Sequence, residues 1–262
     1  MDRTIACVVP ARLGSTRFPG KLLHQLLGKP MVVHTLERAQ EADCFSEILC
    51  FTDSEAIGKA VSDYGFKYVL TGEAHNGTDR IGRHLDSVAT HSVVNLQGDE
   101  PAFPPAGLRT LCSALQTNPN WVHTLVHEGF PSPQEQADPN RVKVKLDAEG
   151  FVTYFFRTLS SEEFEDLQSH KPSPGDFNLQ VKVQVKIQIG AYGYGKDFLR
   201  RYVSLPISDR EKSLSHELLR DTSLAPIRAH ASTPGASVDV PADLEHALDR
   251  LRVLQVREGK IY

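Results

Sequence analysis

Apolar and polar positions over the first hundred residues fall into short apolar runs that alternate with stretches of helical spacing. Thr4 to Val9 is an apolar run ending at Pro10, which predicts a buried strand entering a polar, Gly-containing loop. Past that loop Met31, Val33, Leu36 and Ala39 share roughly one helical face, with Pro30 near the start. The theme then repeats: Glu47 to Phe51 as strand, Ser54 to Tyr64 as helix, Lys67 to Leu70 as strand, Thr78 to Val88 as helix with Thr78 as N-cap, and Ser92 to Leu96 as strand. Such alternation predicts an α/β fold with right-handed crossovers and a mainly parallel, Rossmann-like sheet flanked by helices. Ligands of such sheets bind at the carboxyl ends of the strands.

After about Trp121 the pattern changes. Arg141 to Leu146, Phe151 to Phe155 and Gln184 to Tyr194 are β-rich segments without helices of similar length between them, and Asp147 to Gly150 has the composition of a hairpin turn. From Gln180 to Gln188, Lys and Gln alternate with apolar residues, which predicts a strand with Val181, Val183, Val185, Ile187 and Ile189 inward and the polar residues toward solvent. Ser160 to Asn178 is polar, acidic and interrupted by Pro172 and Pro174, as an exposed, mobile excursion would be. Pro241 to Val256 predicts a closing helix. The expectation is one domain over 1–262, with a core of about 1–120 and 222–262 and a smaller β-rich subdomain of about 121–221.

A chain of 262 residues buries a substantial core without metals or disulfides. Its formal charge of −4 shows no basic excess, so a nucleic-acid partner is not expected. Cys7, Cys44, Cys50 and Cys112 lack C-x-x-C spacing and read as buried free thiols of a reducing compartment rather than a zinc site or redox pair. No run approaches the ~20 apolar residues of a membrane span, and the first is too short for a signal-peptide core, so a cytoplasmic protein is expected.

Candidate chemistry is concentrated in two loops. Pro10-Ala-Arg-Leu-Gly-Ser-Thr-Arg-Phe-Pro-Gly-Lys21 follows the first strand directly: Gly14 and Gly20 permit close backbone approach, and Arg12, Arg17 and Lys21 are cations suited to a triphosphate. It is neither a Walker A loop, since five residues separate Gly14 from Gly20 and Leu22 replaces the metal-binding Ser or Thr, nor a G-x-G-x-x-G fingerprint. The alternative is a solvated basic turn. The second loop, Asn95-Leu-Gln-Gly-Asp-Glu-Pro101, places Asp99 after a buried strand, where a carboxylate can hold a hard cation such as Mg²⁺. An isolated Asp there reads equally as a turn or cap residue; Asp239, in Ser237-Val-Asp-Val-Pro241, is the candidate second carboxylate.

Together these segments resemble the CMP-Kdo synthetases (3-deoxy-manno-octulosonate cytidylyltransferases) over most of the chain. The P-A-R-x-x-S-T-R-x-P-G-K loop matches from Pro10 to Lys21, G-K-P-M from Gly28 to Met31, T-D at Thr52-Asp53 and N-x-Q-G-D-E-P from Asn95 to Pro101. Further matches are Gly77 to Arg80, Val142 to Val144, Leu146 to Gly150, Tyr154 to Arg157, Gly190 to Tyr194 and Val238 to Glu245. The resemblance implies a nucleotide-diphospho-sugar transferase-like fold and a Mg²⁺-dependent enzyme. In the implied reaction the anomeric hydroxyl of Kdo attacks the α-phosphorus of CTP, giving CMP-Kdo and pyrophosphate for lipopolysaccharide synthesis.

By the same analogy Arg12, Lys21, Asp99 and Asp239 are catalytic, with Asp99 and Asp239 as the metal ligands. CTP would be held by Ala11, Arg12, Gly14, Ser15, Thr16, Arg17 and Lys21, and by Asn76, Gly77, Thr78, Arg80 and Gln97. The acceptor would be held by Arg157, Gln188, Tyr192, Glu217 and Leu218, with the β-rich part serving acceptor binding and homodimerisation.

Departures from the family pattern cluster on the acceptor side. Gln188 stands where the family has His, Leu218 where it has Gln, Asn76 where it has Ser, and the stretch from Arg220 to Asp239 is shorter. Replacing Gln by Leu beside a polyhydroxylated ligand would leave a hydroxyl unpaired. Three readings follow: the Kdo enzyme with neutral changes at the rim, a cytidylyltransferase for another acid (amino-Kdo, another ulosonate or a phosphonate), and a catalytically silent nucleotide-binding homologue.

Overall fold

Ile5–Ala11 (β1) is buried along its whole length. Its alternate side chains enter different layers, with Ile5, Cys7, Val9 and Ala11 in one apolar cluster and Ala6 and Val8 in another. A strand covered on both faces has no polar side, and this accounts for the continuous apolar run. The structure is a computed structural model that describes residues 4–158, 160, 162 and 184–257. Most of the predicted excursion at 160–178, and the start of the strand predicted from 180, lie outside the described residues.

The loop after β1 ends in a 3₁₀ turn, Lys21–Leu23, and a two-rung hairpin of β2 (Gln25–Leu26) and β3 (Lys29–Pro30) leads into α1 (Met31–Glu41). The first helix is buried more widely than its predicted face, because Val32, His34, Thr35 and Arg38 are buried too. Thr35 uses its hydroxyl to reach the carbonyl of Gly98 at 2.9 Å, which fixes the second candidate loop against the helix. Then follow β4 (Glu47–Thr52), α2 (Glu55–Asp63, capped by Ser54), β5 (Lys67–Leu70), α3 (Gly77–Arg83) and β6 (Ser92–Leu96).

Thr78 does not cap α3. The amide oxygen of Asn76 accepts from Asp79 N at 2.8 Å, and Thr78 is already helical and fully buried, its hydroxyl 2.6 Å from that of Tyr194. The helix also ends five residues before the predicted Val88, in a separate 3₁₀ turn over Leu85–Ser87.

Beyond Leu96 come α4 (Pro105–Thr117), β7 (Val122–His127), α5 (Pro133–Ala137), β8 (Lys143–Leu146), β9 (Val152–Phe156) and β10 (Gln184–Gly195). The described chain closes with α6 (Lys196–Ser204), α7 (Asp209–Leu214), β11 (Ile227–Ser232) and α8 (Leu244–Arg257), the last preceded by a 3₁₀ turn at Pro241–Asp243. In the sheet the strands run β11-β7-β10-β6-β1-β4-β5. The block β6-β1-β4-β5 is parallel, as is the pair β7-β11, and β10 runs antiparallel between β6 and β7.

The segment expected to be β-rich is divided by this order. β7 and the second half of β10 belong to the central sheet, while the first half of β10 pairs with β8, and β8 with β9, in a meander at its side. Asp147 to Gly150 makes the predicted turn, with Gly150 at φ +84. One face of the sheet is covered by α1, α4 and α8 and the other by α3 and α6, each contributing to its own apolar cluster. The four cysteines are free; Cys44 and Cys112 are adjacent, the Cys112 thiol 3.0 Å from Cys44 Sγ. Among the described residues no helix is long and apolar enough to cross a membrane.

Candidate active site

Ala11 is paired with Thr52 at the carboxyl end of the parallel block, so the loop leaving β1 and the loop leaving β6 open side by side. A cavity of about 720 Å³ lies there, reaching from Arg12 and Arg17 to Tyr192 and Glu217. Asp53 anchors the first loop: one carboxylate oxygen accepts from Leu13 N at 3.2 Å, the other from Arg80 at 2.7 Å. Gly20, at φ +68, makes the left-handed turn that ends the loop and aims Lys21 back into the site.

Lys21 is the centre of the charged arrangement. Its ammonium donates to Asp99 Oδ2 and to the Val238 carbonyl (2.9 Å), and lies 3.5 Å from Asp239 Oδ1. The two carboxylates are brought together by the backbone, since Val238 N donates to the Asp99 carbonyl at 2.9 Å. Arg17 bridges the cleft, donating to Asp239 Oδ1 at 2.8 Å and to Asn140 Oδ1 at 2.5 Å. Arg12 lines the cavity with no hydrogen bond or ion pair to another described residue. Beneath Asp99, buried Glu100 is pushed up to about 8 by its burial and then by the charges of Asp99 and Asp239.

Gly77 explains the close fit of the α3 N-terminus to this cavity. A Cβ there would come within 2.9 Å of Pro10 Cγ and 3.2 Å of Gln97 Nε2. Gln97 in turn donates to Glu217 Oε1 at 3.0 Å, and Thr78 N donates to Glu217 Oε2 at 2.7 Å. Burial raises the Glu217 carboxyl, partly offset by hydrogen bonds from Thr78. Asn76 donates to Glu211 at 2.7 Å, whose carboxylate also takes two bonds from Arg220, at 2.9 and 3.0 Å. Asp79 accepts from the same guanidinium at 3.1 Å, forming a buried ionic group under the cavity floor.

Of the residues expected to hold the nucleotide, Ala11, Arg12, Arg17, Asn76, Gly77, Arg80 and Gln97 line the cavity. Gly14, Ser15 and Thr16 form the outer turn of the loop, Lys21 stands behind the carboxylates, and Thr78 is enclosed in the core. Arg80 is a brace: its donors go to Asp53, Thr71 and the Gly72 carbonyl.

Of the residues expected to hold the acceptor, Arg157, Gln188, Tyr192 and Glu217 line the cavity, but Leu218 does not. Its side chain is 3 % exposed and packs in the apolar cluster with Leu219, because the 3₁₀ turn Glu217–Leu219 directs successive side chains to different sides. The unpaired hydroxyl expected opposite Leu218 therefore does not arise. Arg157 does not present an open cation: it donates to the carbonyls of Leu214 (2.8 Å), Ser215 (2.9 Å), Asn140 (3.0 Å) and Pro139 (3.3 Å). Nor do Lys186 and Gln188 face solvent. Lys186 is buried against the Glu128 and Gly129 carbonyls, and Gln188 bonds Thr124 and His216.

Asp53, Asn140, Glu211 and His216 join the cavity wall or its supports without being among the expected site residues. Asp53 was visible as half of a Thr-Asp element at a strand end; the others carry no spacing signal, because their partners lie far away in the chain.

A basic glycine loop after the first strand faces a carboxylate pair at the carboxyl end of a parallel block, an arrangement suited to a phosphorylated ligand. A solved nucleotidyl transferase from Methanothermobacter thermautotroptrophicus shares the fold at 17% identity and TM-score 0.60, covering 95% of this chain and 99% of that one. The family model described as cytidylyltransferase matches residues 6–229, and the chain belongs to that family. Curated relatives include the 3-deoxy-manno-octulosonate cytidylyltransferase of Geobacter sulfurreducens, 32% identical over 95% of this chain and 99% of its own. That of Serratia proteamaculans is 35% identical over 94% and 96%. A solved CMP:2-keto-3-deoxy-manno-octonic acid synthetase complexed with CTP is 32% identical at TM-score 0.79, covering 97% of this chain and 99% of that one.

Proposed function

We propose that this chain transfers CMP from CTP to the anomeric hydroxyl of 3-deoxy-manno-octulosonate, with Mg²⁺ and release of pyrophosphate. The observation that carries the reading is the convergence of Asp99 and Asp239 on one ammonium, beside Arg12 and Arg17. Two carboxylates that share a cation suit a divalent ion. Among the described residues no group of three His, Cys, Asp or Glu side chains forms a cage. That fits Mg²⁺, which takes one or two carboxylates and completes its shell with water and substrate phosphates.

Asp99 and Asp239 would hold the ion, which when bound neutralises phosphate charge and acidifies a sugar hydroxyl. The protein's own part is positioning and charge. Arg12, Arg17 and Lys21 receive the phosphates, and Gly77 and Gln97 take the cytidine against the α3 N-terminus. In-line displacement at phosphorus needs no covalent nucleophile, so fixed cations and a fixed acceptor suffice. We assign the nucleotide to the central sheet, and the acid to the side built from β8, β9 and β10 with the Glu211 to Glu217 segment. Exposed Phe130 and Tyr154 on that side supply apolar surface for a second copy, which sedimentation would test.

The decisive experiment measures pyrophosphate release from CTP with Kdo and a panel of other acids, with Mg²⁺ and with EDTA. Turnover of Kdo that needs the metal and prefers CTP to ATP is expected; full activity in EDTA, or equal use of ATP, refutes the reading. A different acid is the second reading, favoured by the Gln188–His216 pair where the family has His. A silent homologue is disfavoured because Lys21, Asp99 and Asp239 are all present and converge.

A further inference from the structure

The four cysteines fall into two kinds. Cys7 of β1 and Cys50 of β4 are fully enclosed in one apolar cluster, and burial pushes both thiols up, that of Cys50 to about 12. Such thiols are packing groups and chemically inert. Cys44 is different: it lies in the turn between α1 and β4 and is only partly buried. Cys112, on the buried side of α4, directs its thiol at Cys44, 3.0 Å from the sulfur and 3.7 Å from the carbonyl oxygen.

Backbone bonds hold the turn that carries Cys44. Asp43, at φ +49, donates its N–H to the Gln40 carbonyl at 3.1 Å, and Ser46 N donates to the Ile5 carbonyl at 3.0 Å. A disulfide is about 2.05 Å long, so joining the two sulfurs needs an approach of only about 1 Å. The surroundings also divide the roles. The bond from Cys112, helped by the Arg109 guanidinium on the same helix, lowers the Cys44 thiol against burial and the Asp43 charge. That same bond, with burial adding, raises Cys112, which keeps its proton.

We infer that Cys44 and Cys112 form an oxidisable dithiol for small hydroperoxides, with Cys44 as the site of attack and Cys112 as the residue that resolves it to a disulfide. In the first step the Cys44 thiolate attacks one peroxide oxygen: an S–O bond forms, the O–O bond breaks, and the leaving hydroxide takes up a proton as water. In the second the Cys112 sulfur attacks the Cys44 sulfur: the S–S bond forms, the S–O bond breaks, and the departing hydroxide leaves with the Cys112 proton as water. The two thiols lose two electrons and the peroxide is reduced to water. The product ties the turn after α1 to α4. Neither cysteine lines the cavity, so this chemistry stands apart from the reading of CMP transfer.

The test treats the reduced, folded protein with hydrogen peroxide, alkylates the remaining thiols with iodoacetamide in denaturant, and maps the unreduced digest by mass spectrometry. One cross-link is expected, between the peptides of Cys44 and Cys112, reversed by dithiothreitol, with Cys7 and Cys50 alkylated. Cys44 should be consumed at least roughly tenfold faster than Cys7 or Cys50. Cys112→Ser should stop at the Cys44 sulfenic acid, captured by dimedone, and Cys44→Ser should leave Cys112 a thiol. Four unreacted thiols in wild type overturn the inference, as does a disulfide through Cys7 or Cys50. Similar rates at all four cysteines also overturn it, because they mark reaction of the unfolded chain, and so does loss of the Cys112 thiol in Cys44→Ser at the wild-type rate. Should either variant not fold, the wild-type map and rates decide.

Discussion

Cations stand near both halves of the cavity, and several of them are held in different ways. Around the loop after β1, Arg17 and Lys21 pair with Asp99 and Asp239, and Arg12 has no described partner. Around β8, β9 and β10, Arg157 donates to four backbone carbonyls, Lys143 to three and Lys186 to two. A carboxylate partner can be exchanged for a phosphate or a metal ion, because the charge it leaves can be taken up again. A carbonyl partner cannot move without unfolding the segment that carries it. The first half is built to exchange ions and the second to hold loops in place, though the residue types are the same.

The comparison breaks most visibly at Asp239. Asp239→Asn should lower turnover by a factor on the order of a thousand while CTP still binds and the melting temperature holds, because only one ligand charge is lost. Pyrophosphate release at saturating Mg²⁺ is the measurement; near-normal turnover would make Asp239 merely the residue before a helix start. Next is Arg157→Ala, expected to cost about 3 kcal/mol in denaturant unfolding as carbonyls of two loops lose a charged donor. If unfolding is unchanged and only acid affinity falls, Arg157 belongs to the ion-exchanging class after all.

Gly77→Ala comes third, with CTP affinity reduced about tenfold by a Cβ pressed against Pro10 and Gln97, measured by calorimetric titration. Smallest is the effect of pH through His216. A folded value near 3 against an ordinary 6.5 means that the unfolded chain binds the proton first, so its stabilising contribution is full above pH 6.5 and falls as pH drops toward 3. Between pH 8 and 5.5 this one group should account for about 1.4 kcal/mol of lost stability, which His216→Phe should remove from the pH profile.

What could be read in the sequence follows the same division. The wall built from the loops after β1 and β6 is legible because each loop is one contiguous stretch, Pro10 to Lys21 and Asn95 to Pro101, launched from a strand that shows as an apolar run. Asp239 became legible only beside Asp99. The opposite wall of the cavity is built around positions 157, 188 and 211 to 217, and no local pattern links them. Leu218 was misplaced because a one-residue step in a 3₁₀ turn moves a side chain from cavity to core. Lys186 and Gln188 looked solvated because alternation does not reveal that a strand's polar side is covered by β7 and its following loop. Thr78 lost its cap role to Asn76, which has the better geometry two residues earlier.

The ion pairs around Lys21 also bear on thermodynamic linkage. Arg17 and Lys21 against Asp99 and Asp239 form a set whose formal charges cancel. Phosphates that draw the two cations away leave the carboxylates ready for a divalent ion, and a divalent ion on the carboxylates leaves the cations ready for phosphate. On the proposed reading each ligand would raise the affinity for the other, by the same factor in both directions. Synergy between nucleotide and metal would then be the consequence of one cluster of salt bridges.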